Sequence, residues 1–369
     1  MRISDCGLDG IRGGDCALRI ADCGLGEALD KALRTGDLSR EEIIFLLGLE
    51  DERDITRLFQ TADEVRKRYC GDEVHIRGLI EFSNTCARNC SYCGLRRENQ
   101  EVERYRMPIP EIIECAVQVV RKGIGTIVLQ SGEDPWFTAE RMAEIIRGIK
   151  SQADCAITLS VGERTYQDYK IMKEAGADRY LLRHETASRS LYQRIHPDCD
   201  YDNRTRCLRD LKALGYQVGA GSMVGLPGQT LDDLAEDVIF VRDLDADMVG
   251  IGPFIPHPNT PLGDSAAGAL EMTLKMVALV RIATRNAHIP ATTAVGSIDA
   301  FGREKALMVG ANIVMPNYTP LQYRVNYEIY PNKRCITEDP SSCHNCMRAR
   351  IESIGRTVGA GPGHSLKNG

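Results

Sequence analysis

Three cysteines lie within eight residues of the stretch FSNTCARNCSYCGLRREN, on the spacing C-x3-C-x2-C: Cys86, Cys90 and Cys93. Thiolates are soft ligands that suit zinc and iron–sulfur clusters. A structural zinc site takes four protein ligands, and no fourth cysteine stands beside these three. A four-iron cluster held by three thiolates leaves one iron open for a substrate or cofactor. The spacing therefore favours a catalytic cluster, with a zinc site or a set of core cysteines as the alternative.

The elements that must position this loop are short runs rich in β-forming residues, separated by amphipathic stretches of helical period. Eight strand–helix repeats predict a (β/α)8 barrel of the TIM type, with an open doubly wound sheet as the alternative. The cysteine loop follows the first strand, on the face where catalytic loops of such barrels collect. The predicted strands cover residues 74–83, 126–132, 156–162, 179–185, 217–225, 248–254, 289–295 and 312–317.

The barrel is predicted to occupy residues 74–330, after N-terminal helices over residues 26–73 and before a C-terminal segment over residues 331–369. Ser39 and Glu42 form a capping box that starts one of those helices, and a second helix is expected from Thr56 to Tyr69. Residues 1–25 repeat DCGL, DCAL and DCGL among glycines and arginines. We expect a disordered, dispensable extension there, because the cysteine intervals fit no ligand pattern.

Composition excludes several classes of protein. The 369 residues are 43% hydrophobic, with a net charge of −6 and no block of lysines and arginines, so a nucleic-acid groove is not expected. No apolar run reaches the length of about 20 residues that spans a bilayer, and the N-terminus lacks the pattern of a secretory signal. Fourteen cysteines then indicate metal or redox chemistry in the cytoplasm, where disulfides do not persist.

With Tyr92 directly before its last cysteine, the C-x3-C-x2-C stretch resembles that of the radical S-adenosylmethionine (SAM) enzymes. The resemblance implies a 4Fe–4S cluster on Cys86, Cys90 and Cys93. It also implies that SAM binds the open iron through its amino and carboxylate groups. One electron, from an external donor, then splits SAM into methionine and a 5′-deoxyadenosyl radical.

The ends of the other predicted strands carry residues that would contact SAM if the barrel is correct. The turn over residues 130–133 stands where these enzymes have a GGE-like turn, with Ser131 in place of the first glycine. Glu185 is a candidate for the SAM amino group or ribose, and Arg204 for its carboxylate. A plain turn, an Arg183–Glu185 pair, a solvated arginine and core methionines are the alternatives. The full set is Tyr92, Gln130, Ser131, Gly132, Glu133, Glu185, Arg204, Met223 and Met248.

Substrate contacts are expected from the same faces. Arg179, Arg183 and Glu185 alternate along one strand and therefore share a face, and burial without partners would cost several kcal/mol each. Arg183, the residue we expect to be catalytic beside the cysteines, is a candidate for a substrate carboxylate. Thr292 and Thr293 offer hydroxyl groups near the top of the seventh strand. Further candidates are Arg179, Asn317 and Tyr327, the last as part of a lid or as a core tyrosine.

A second group of cysteines follows the eighth strand: Cys335, Cys343 and Cys346, on the spacing C-x7-C-x2-C. Three thiols again suit an iron–sulfur cluster, of the 2Fe–2S or 4Fe–4S type. A zinc site that includes His344 is the alternative. Because the group is separate from the first cysteine loop, we expect an accessory cluster.

The order of the motifs from about residue 30 to residue 355 resembles the radical SAM enzymes of FeFe-hydrogenase maturation, which are relatives of biotin synthase and methylornithine synthase. The resemblance implies assembly of the two-iron subcluster with other hydrogenase maturases. It also implies a small organometallic substrate, an iron–cysteine complex with carbonyl and cyanide ligands. A methylornithine synthase-like mutase and a biotin synthase-like sulfur-insertion enzyme are the nearest alternatives. A non-enzymatic iron–sulfur scaffold is a third.

Overall fold

The computed structural model describes residues 13–336 and 340–368. Three helices precede the first strand: α1 (Gly13–Arg34), α2 (Arg40–Leu47) and α3 (Glu52–Cys70). Both hydrogen bonds of the predicted capping box are present, since the Ser39 hydroxyl accepts from the Glu42 amide and the Glu42 carboxylate accepts from the Ser39 amide. The capping-box prediction is confirmed, and the predicted second helix corresponds to α3.

Within the described ranges, nine strands follow in chain order. They are β1 (Glu73–Ile76), β2 (Gly78–Ser83), β3 (Thr126–Ser131), β4 (Ala156–Ser160), β5 (Arg179–Leu181), β6 (Gln217–Val224), β7 (Met248–Pro253), β8 (Ile313–Val314) and β9 (Thr357–Val358). Strands β2 to β7 form one parallel six-stranded sheet in sequential order, and β8, β1 and β9 form a small second sheet. The α/β class with a parallel sheet is therefore confirmed.

Helices connect the strands, as parallel pairing requires. They are α4 (Ile109–Arg121), α5 (Ala139–Lys150), α6 (Tyr166–Glu174), α7 (Arg189–Ile195), α8 (Tyr201–Ala213), α9 (Leu231–Asp243), α10 (Leu270–Thr284), α11 (Thr293–Ile298), α12 (Gly302–Met308), α13 (Leu321–Arg324) and α14 (Pro340–Ser353), with a short 3-10 turn at Leu366–Asn368. No helix among the described residues combines the length and the hydropathy of a membrane span.

The hydrophobic core lies between the sheet and these helices. Every residue of β2 and β7 is buried, because parallel strands are covered on both faces and read as nearly continuous apolar runs. Helix α10 is buried along most of its length, and it packs against α2, α3 and α9 as well as against β7. The N-terminal helices therefore extend the core of the sheet.

The seventh predicted strand, residues 289–295, is wrong as a strand. Pro290 lacks an amide donor, and the Thr292 side chain accepts from the Val295 amide as the N-cap of α11. Only isolated parallel bridges remain there, from His288 to Met248 and from Pro290 to Ile313. The stretch has β-forming residues, but the proline and the cap end any regular ladder after residue 291.

The C-terminal segment lies across the amino ends of the strands. Strand β9 pairs with β1, and the Thr126 hydroxyl, at the start of β3, donates to the Pro362 carbonyl at 2.7 Å. The Ser365 hydroxyl donates to Asp247, which directly precedes β7, at 2.5 Å. These contacts place residues 359–366 at the end of the sheet opposite the loops that follow the strands.

The predicted N-terminal extension falls partly outside the description. Residues 1–12 are not described, and residues 13–25 belong to the first part of α1. Residues 13–25 are therefore helical, with Leu25 buried, which differs from the disordered extension expected there. Whether residues 1–25 are dispensable stays a prediction.

Candidate active site

The loop with Cys86, Cys90 and Cys93 follows β2 and is held by three other segments of the chain. The Ala87 amide donates to the Glu133 carbonyl at 2.9 Å, and the Ser91 amide donates to the Ile195 carbonyl at 2.8 Å. The Gly94 amide donates to the Ile329 carbonyl at 3.0 Å. All three thiols are free and half-buried. Backbone hydrogen bonds within the protein therefore hold the loop at the carboxyl end of the sheet.

The environment of the thiols suits a positively charged cluster. Burial, and then the neighbouring cysteines, raises the pKa of Cys90 well above its usual value and that of Cys93 to about 12. Burial also raises the pKa of Cys86, although its sulfur accepts hydrogen bonds from the Arg88 and Glu133 amides at 3.4 Å. Bound iron would supply the charge that keeps such thiols ionised. The donor set therefore fits an iron–sulfur cluster.

The turn after β3 lies directly against this loop. The Gly132 amide donates to the Ser83 carbonyl at 2.9 Å. A Cβ atom at Gly132 would lie 2.3 Å from the Thr85 carbonyl oxygen and 2.9 Å from the Cys86 Cβ. Only glycine fits there without displacing the backbone of the cysteine loop. Ser131, which replaces the first glycine of the GGE-like turn, donates its hydroxyl to the Gly132 carbonyl at 2.6 Å.

A charge-balanced network of two arginines and two glutamates joins this turn to the next strands. The Arg88 Nε donates to Glu133 at 2.6 Å, and the Arg204 Nε donates to Glu163 at 2.6 Å. Arg88 also bridges to Glu163 at 3.3 Å. Arg204 is buried, not solvated, and its Nη1 donates to the Arg183 carbonyl at 2.6 Å. The predicted SAM contacts Glu133 and Arg204 are therefore linked through Arg88 and Glu163.

Arg183 and Glu185 lie beside this network with unmet hydrogen-bonding capacity. Their Nη2 and Oε2 atoms are 3.4 Å apart, and Arg183 also donates to the Ser222 carbonyl at 2.6 Å. The Arg183 Nε and the Glu185 Oε2 are buried and form no hydrogen bond within the described chain. Glu185 has a φ of +66°, a strained value for a residue with a side chain. The Arg183–Glu185 pair that the sequence left open as an alternative is therefore present. Buried atoms without a hydrogen bond beside a strained residue are nevertheless typical of a site that a ligand completes.

Other polar residues face one another at the carboxyl ends of the sheet. The Gln130 amide donates to the Tyr327 hydroxyl at 3.3 Å, and burial raises the pKa of Tyr327 well above its usual value. Tyr327 is buried, which agrees with the alternative of a core tyrosine and not with a lid residue. The Thr292 hydroxyl caps α11, and the Thr293 hydroxyl accepts from Arg303 at 3.3 Å. Both threonines are half-buried.

An apolar cluster lies beside the cysteine loop. Tyr92 packs edge-on against His196 with ring centroids 5.5 Å apart. It also packs against a buried group formed by Leu191, Ile195, Met223, Leu226 and Phe254. Met223 is therefore near the loop, as expected, and it is a packed side chain. Tyr92 therefore joins the cysteine loop to this apolar cluster, and its predicted contact with a bound cofactor stays a prediction.

Comparison with known proteins decides the family. Residues 80–241 match the radical SAM superfamily. The chain is 52% identical over 333 residues to the FeFe-hydrogenase maturase subunit HydE of Thermotoga maritima, covering 90% of this chain and 95% of the relative. The chain belongs to the HydE family of radical SAM proteins.

Two further relatives agree with this family. The chain is 29% identical over 304 residues to 3-methylornithine synthase from Methanosarcina acetivorans, covering 81% of this chain and 86% of the relative. A crystal structure of methylornithine synthase superposes with a TM-score of 0.79 at 25% identity, covering 90% of this chain and 97% of that one. The HydE-family chain therefore shares its fold with methylornithine synthase.

Two predicted site residues of this HydE-family chain lie elsewhere. Arg179 starts β5 at the amino end of the sheet, where it donates to Gln217, Thr126 and the carbonyls of Pro362 and Gly363. Met248 starts β7 at the same end, and its sulfur accepts from Arg77 at 2.9 Å. Alternation along the strand correctly gives Arg179 and Arg183 the same face. The two residues are four positions apart, however, so Arg179 lies at the amino end of β5 and Arg183 beyond its carboxyl end.

The C-terminal cysteines are only partly described. Cys335 is half-buried and Cys346 is exposed, whereas the side chain of Cys343 lies outside the description. Cys335 lines a cavity of about 10 Å³ with Thr293, Asn317 and Lys333. Within the described part of the chain, no three His, Cys, Asp or Glu side chains are grouped closely enough to hold a single metal ion. This finding also covers Cys86, Cys90 and Cys93, so it does not distinguish the two groups of cysteines. The second cluster stays a prediction because the Cys343 side chain lies outside the description.

Sequence reasoning missed two charged groups at the carboxyl ends. Glu163 follows Gly162 after β4 and so repeats the Gly132–Glu133 pair after β3, a signal that was available in the sequence. Glu81 is buried in β2, where it pairs with Lys333 and accepts from the Asn317 amide at 2.7 Å. Lys333 lies 252 residues away in the chain. No local pattern indicates that pair.

Proposed function

We propose that this chain is a radical SAM enzyme that acts in assembly of the FeFe-hydrogenase H-cluster. The observation that carries the proposal is the 52% identity to the Thermotoga maritima HydE maturase subunit over nearly the whole length of both chains. The half-buried cysteine loop and the unsatisfied Arg183 and Glu185 support it independently.

The cysteine loop would hold a 4Fe–4S cluster through Cys86, Cys90 and Cys93. When bound, the cluster and SAM supply a 5′-deoxyadenosyl radical after uptake of one electron from an external donor. The chain's own residues shape the site. Gly132 lets the next turn approach the loop, backbone amides donate to Cys86, and Tyr92 with its apolar cluster excludes water from one side.

The SAM site would use groups that already converge on the loop. The turn over residues 130–133 presents its backbone to the amino group, and Glu185 offers a buried carboxylate for the amino group or the ribose. Arg204 would bind the carboxylate, and Met223 would pack near the adenosine. Met248 has no part in this arrangement, because it lies at the amino end of β7.

The substrate would bind next to Arg183. We infer an organometallic iron–cysteine precursor of the two-iron subcluster, with its carboxylate held by Arg183 and by a hydroxyl of Thr292 or Thr293. Tyr327 and Gln130 line the same end of the sheet, where their hydrogen bond fixes both side chains. The cluster and SAM, when bound, would supply radical chemistry at the cysteine sulfur. Arg179 has no part in this site, because it binds the C-terminal segment.

The sheet would close into a (β/α)8 barrel around this site. Three backbone contacts support closure: the Val249 amide to the His288 carbonyl at 2.9 Å, Asn312 to Ile289 at 2.9 Å, and Leu79 to Pro316 at 3.0 Å. They lead from β7 through residues 288–291 and the β8 segment back to β2. The barrel domain would then cover residues 74–330, with helical and C-terminal segments on either side.

An accessory iron–sulfur cluster on Cys335, Cys343 and Cys346 would lie outside the barrel. The chain would work in the cytoplasm beside other hydrogenase maturases. Replacing Cys346 with serine should lower the iron content of the reconstituted protein and leave SAM cleavage within about twofold. Unchanged iron content would contradict the accessory cluster.

The proposed function is tested with cluster-reconstituted protein under anaerobic reduction. The parent chain should release 5′-deoxyadenosine and methionine from SAM and should restore activity to a hydrogenase assembly mixture that lacks this maturase. Cys86→Ser should abolish both. Absence of SAM cleavage by the parent chain would reject the proposal.

A lysine mutase is the second candidate, because the methylornithine synthase structure matches 97% of its own length. The same preparation is therefore incubated with free lysine. Consumption of lysine without restoration of hydrogenase activity would favour the mutase.

A further inference from the structure

Glu163 lies at the centre of the charge network beside the cysteine loop. The residue is 7% exposed and follows β4. Its Oε1 accepts from the Arg204 Nε at 2.6 Å, and its Oε2 accepts from Asn203 at 2.7 Å and from Arg88 at 3.3 Å. A buried carboxylate with three donors, two of them cationic, is strongly held in one orientation.

This carboxylate fixes the orientation of Arg204. The Arg204 Nε is bound to Glu163 and its Nη1 to the Arg183 carbonyl at 2.6 Å. Within the described residues, no hydrogen bond is formed by Nη2. A planar guanidinium with two of its three nitrogens fixed presents the third in a set direction. That nitrogen is the one available to an anionic ligand.

The same carboxylate is tied to the cysteine loop. Arg88 donates through Nε to Glu133 at 2.6 Å, and its backbone amide donates to the Cys86 sulfur at 3.4 Å. The Glu133 carboxylate also lies close to the backbone at Gly162, where a Cβ atom would be 2.4 Å from the Glu133 Oε2. The loop, the β3 turn, Glu163 and Arg204 therefore form one continuous set of contacts.

We propose that Glu163 is a positioning residue that aims Arg204 at the carboxylate of SAM and keeps it in register with the cysteine loop. The inference rests on the proposed function, since it assigns a role within the SAM site. In this proposal Glu163 acts on SAM only through Arg204 and Arg88. Without its charge, the guanidiniums of Arg88 and Arg204 lose their common partner, and Arg204 is free to turn toward Glu185.

The test compares Glu163→Gln, which keeps shape but removes charge, with Glu163→Asp, which keeps charge but shortens the reach. Asp178→Asn is the matched control, because it breaks the partly buried 2.9 Å ion pair with Lys150 at the other end of the sheet. Each protein is reconstituted, and its iron content and thermal unfolding are measured. SAM affinity is measured by equilibrium dialysis, and the electron paramagnetic resonance spectrum of the reduced cluster is recorded during SAM titration.

Glu163→Gln should weaken SAM binding by about tenfold, as removal of a supporting partner does at other cofactor sites. The spectral change on adding SAM should need correspondingly more SAM. Glu163→Asp should recover part of the affinity, and the control should bind SAM like the parent. Iron content should be equal in all four proteins.

Parent-like SAM affinity in Glu163→Gln would overturn the inference. If that variant unfolds, Glu163→Asp carries the test, and parent-like affinity in it would overturn the inference equally. Failure of the parent chain to bind SAM is a different result, since it would remove the proposed function before any variant is compared.

Discussion

Arginines at the two ends of the parallel sheet have different kinds of partner. At the carboxyl end, Arg88 and Arg204 pair with glutamates. At the amino end, Arg77 and Arg179 donate to a methionine sulfur and to carbonyls of the C-terminal segment. Of these four arginines, only the two at the carboxyl end have carboxylates as partners.

This difference separates residues that can bind a ligand from residues that stabilise the fold. Neutral acceptors satisfy the Arg179 guanidinium, so this residue serves stability, whereas the Arg77 Nε is buried and forms no hydrogen bond within the described chain. Glutamates offer a second charged group that a ligand can engage, and Glu185 and Arg183 still have unsatisfied atoms. In α/β barrels, residues at the carboxyl ends of strands are those that reach substrates. The position of a charged residue along its strand therefore decides its role.

The largest effect is expected at Arg183. Arg183→Ala should lower hydrogenase activation at least about 100-fold, since the substrate carboxylate loses its cation, a loss of about 3 kcal/mol or more in binding. SAM cleavage should stay within about threefold of the parent. The measurements are 5′-deoxyadenosine release and hydrogenase activity in the assembly mixture.

Arg183→Lys serves as the charge-preserving control and should retain part of the activation. Loss of SAM binding in Arg183→Ala would instead assign Arg183 to the cofactor. It would contradict the proposal that Arg183 binds the substrate while other residues bind SAM.

A smaller effect, on stability alone, is expected at Arg179. Arg179→Met should lower the free energy of unfolding by about 2–4 kcal/mol, because it leaves buried carbonyl groups of the C-terminal segment without a donor. SAM affinity should not change. Urea unfolding of the apo-protein and SAM titration are the measurements.

Arg209→Met, at an exposed position of α8, is the control and should lie within about 0.5 kcal/mol of the parent. The contrary result is that Arg179→Met unfolds like the parent and fails to support hydrogenase activation. That result would show that the amino end of the sheet has a functional role.

The smallest effect concerns pH and His288. Burial, and then Arg77, lowers the pKa of His288 well below 6.5. Its Nε2 donates to the His364 carbonyl at 2.8 Å and its Nδ1 accepts from Asn312 at 3.1 Å, so the neutral ring is satisfied. The unfolded chain binds a proton below pH 6.5 that the folded chain does not, so stability falls as the pH falls.

The slope from this one histidine approaches about 1.4 kcal/mol per pH unit only well below pH 6.5, where the unfolded histidine is fully protonated. Between pH 6.5 and 5.5, His288→Asn should remove about 1 kcal/mol of the fall in unfolding free energy. An unchanged slope would show that His288 is protonated in the folded chain.

Local sequence patterns predicted much of the carboxyl end. The cysteine spacing, the turn after β3 and the alternation of Arg183 with Glu185 are short-range features, and each lies at the carboxyl end of the described sheet. The six strands β2 to β7 were predicted within a few residues. The prediction of the seventh strand was wrong because it used β-propensity alone. Pro290 and the helix cap at Thr292 end the hydrogen-bonded ladder there.

Contacts between distant segments were beyond such patterns. Arg179 was assigned to the site because alternation gives the face of a strand residue but not the end that a later segment will cover. The carbonyls that bind it come from residues 362 and 363, more than 180 positions away. Glu81 and Lys333 pair across 252 residues in the same way.

The sequence by itself determined the ligand chemistry and the family, because both depend on residue types at fixed short spacing. Only the tertiary structure decided which charges share a neighbourhood, since burial and ion pairing arise where separate strands and loops are brought together. Glu163 shows both parts. Its Gly-Glu signal is local, whereas its place between Arg88 and Arg204 exists only in the folded chain.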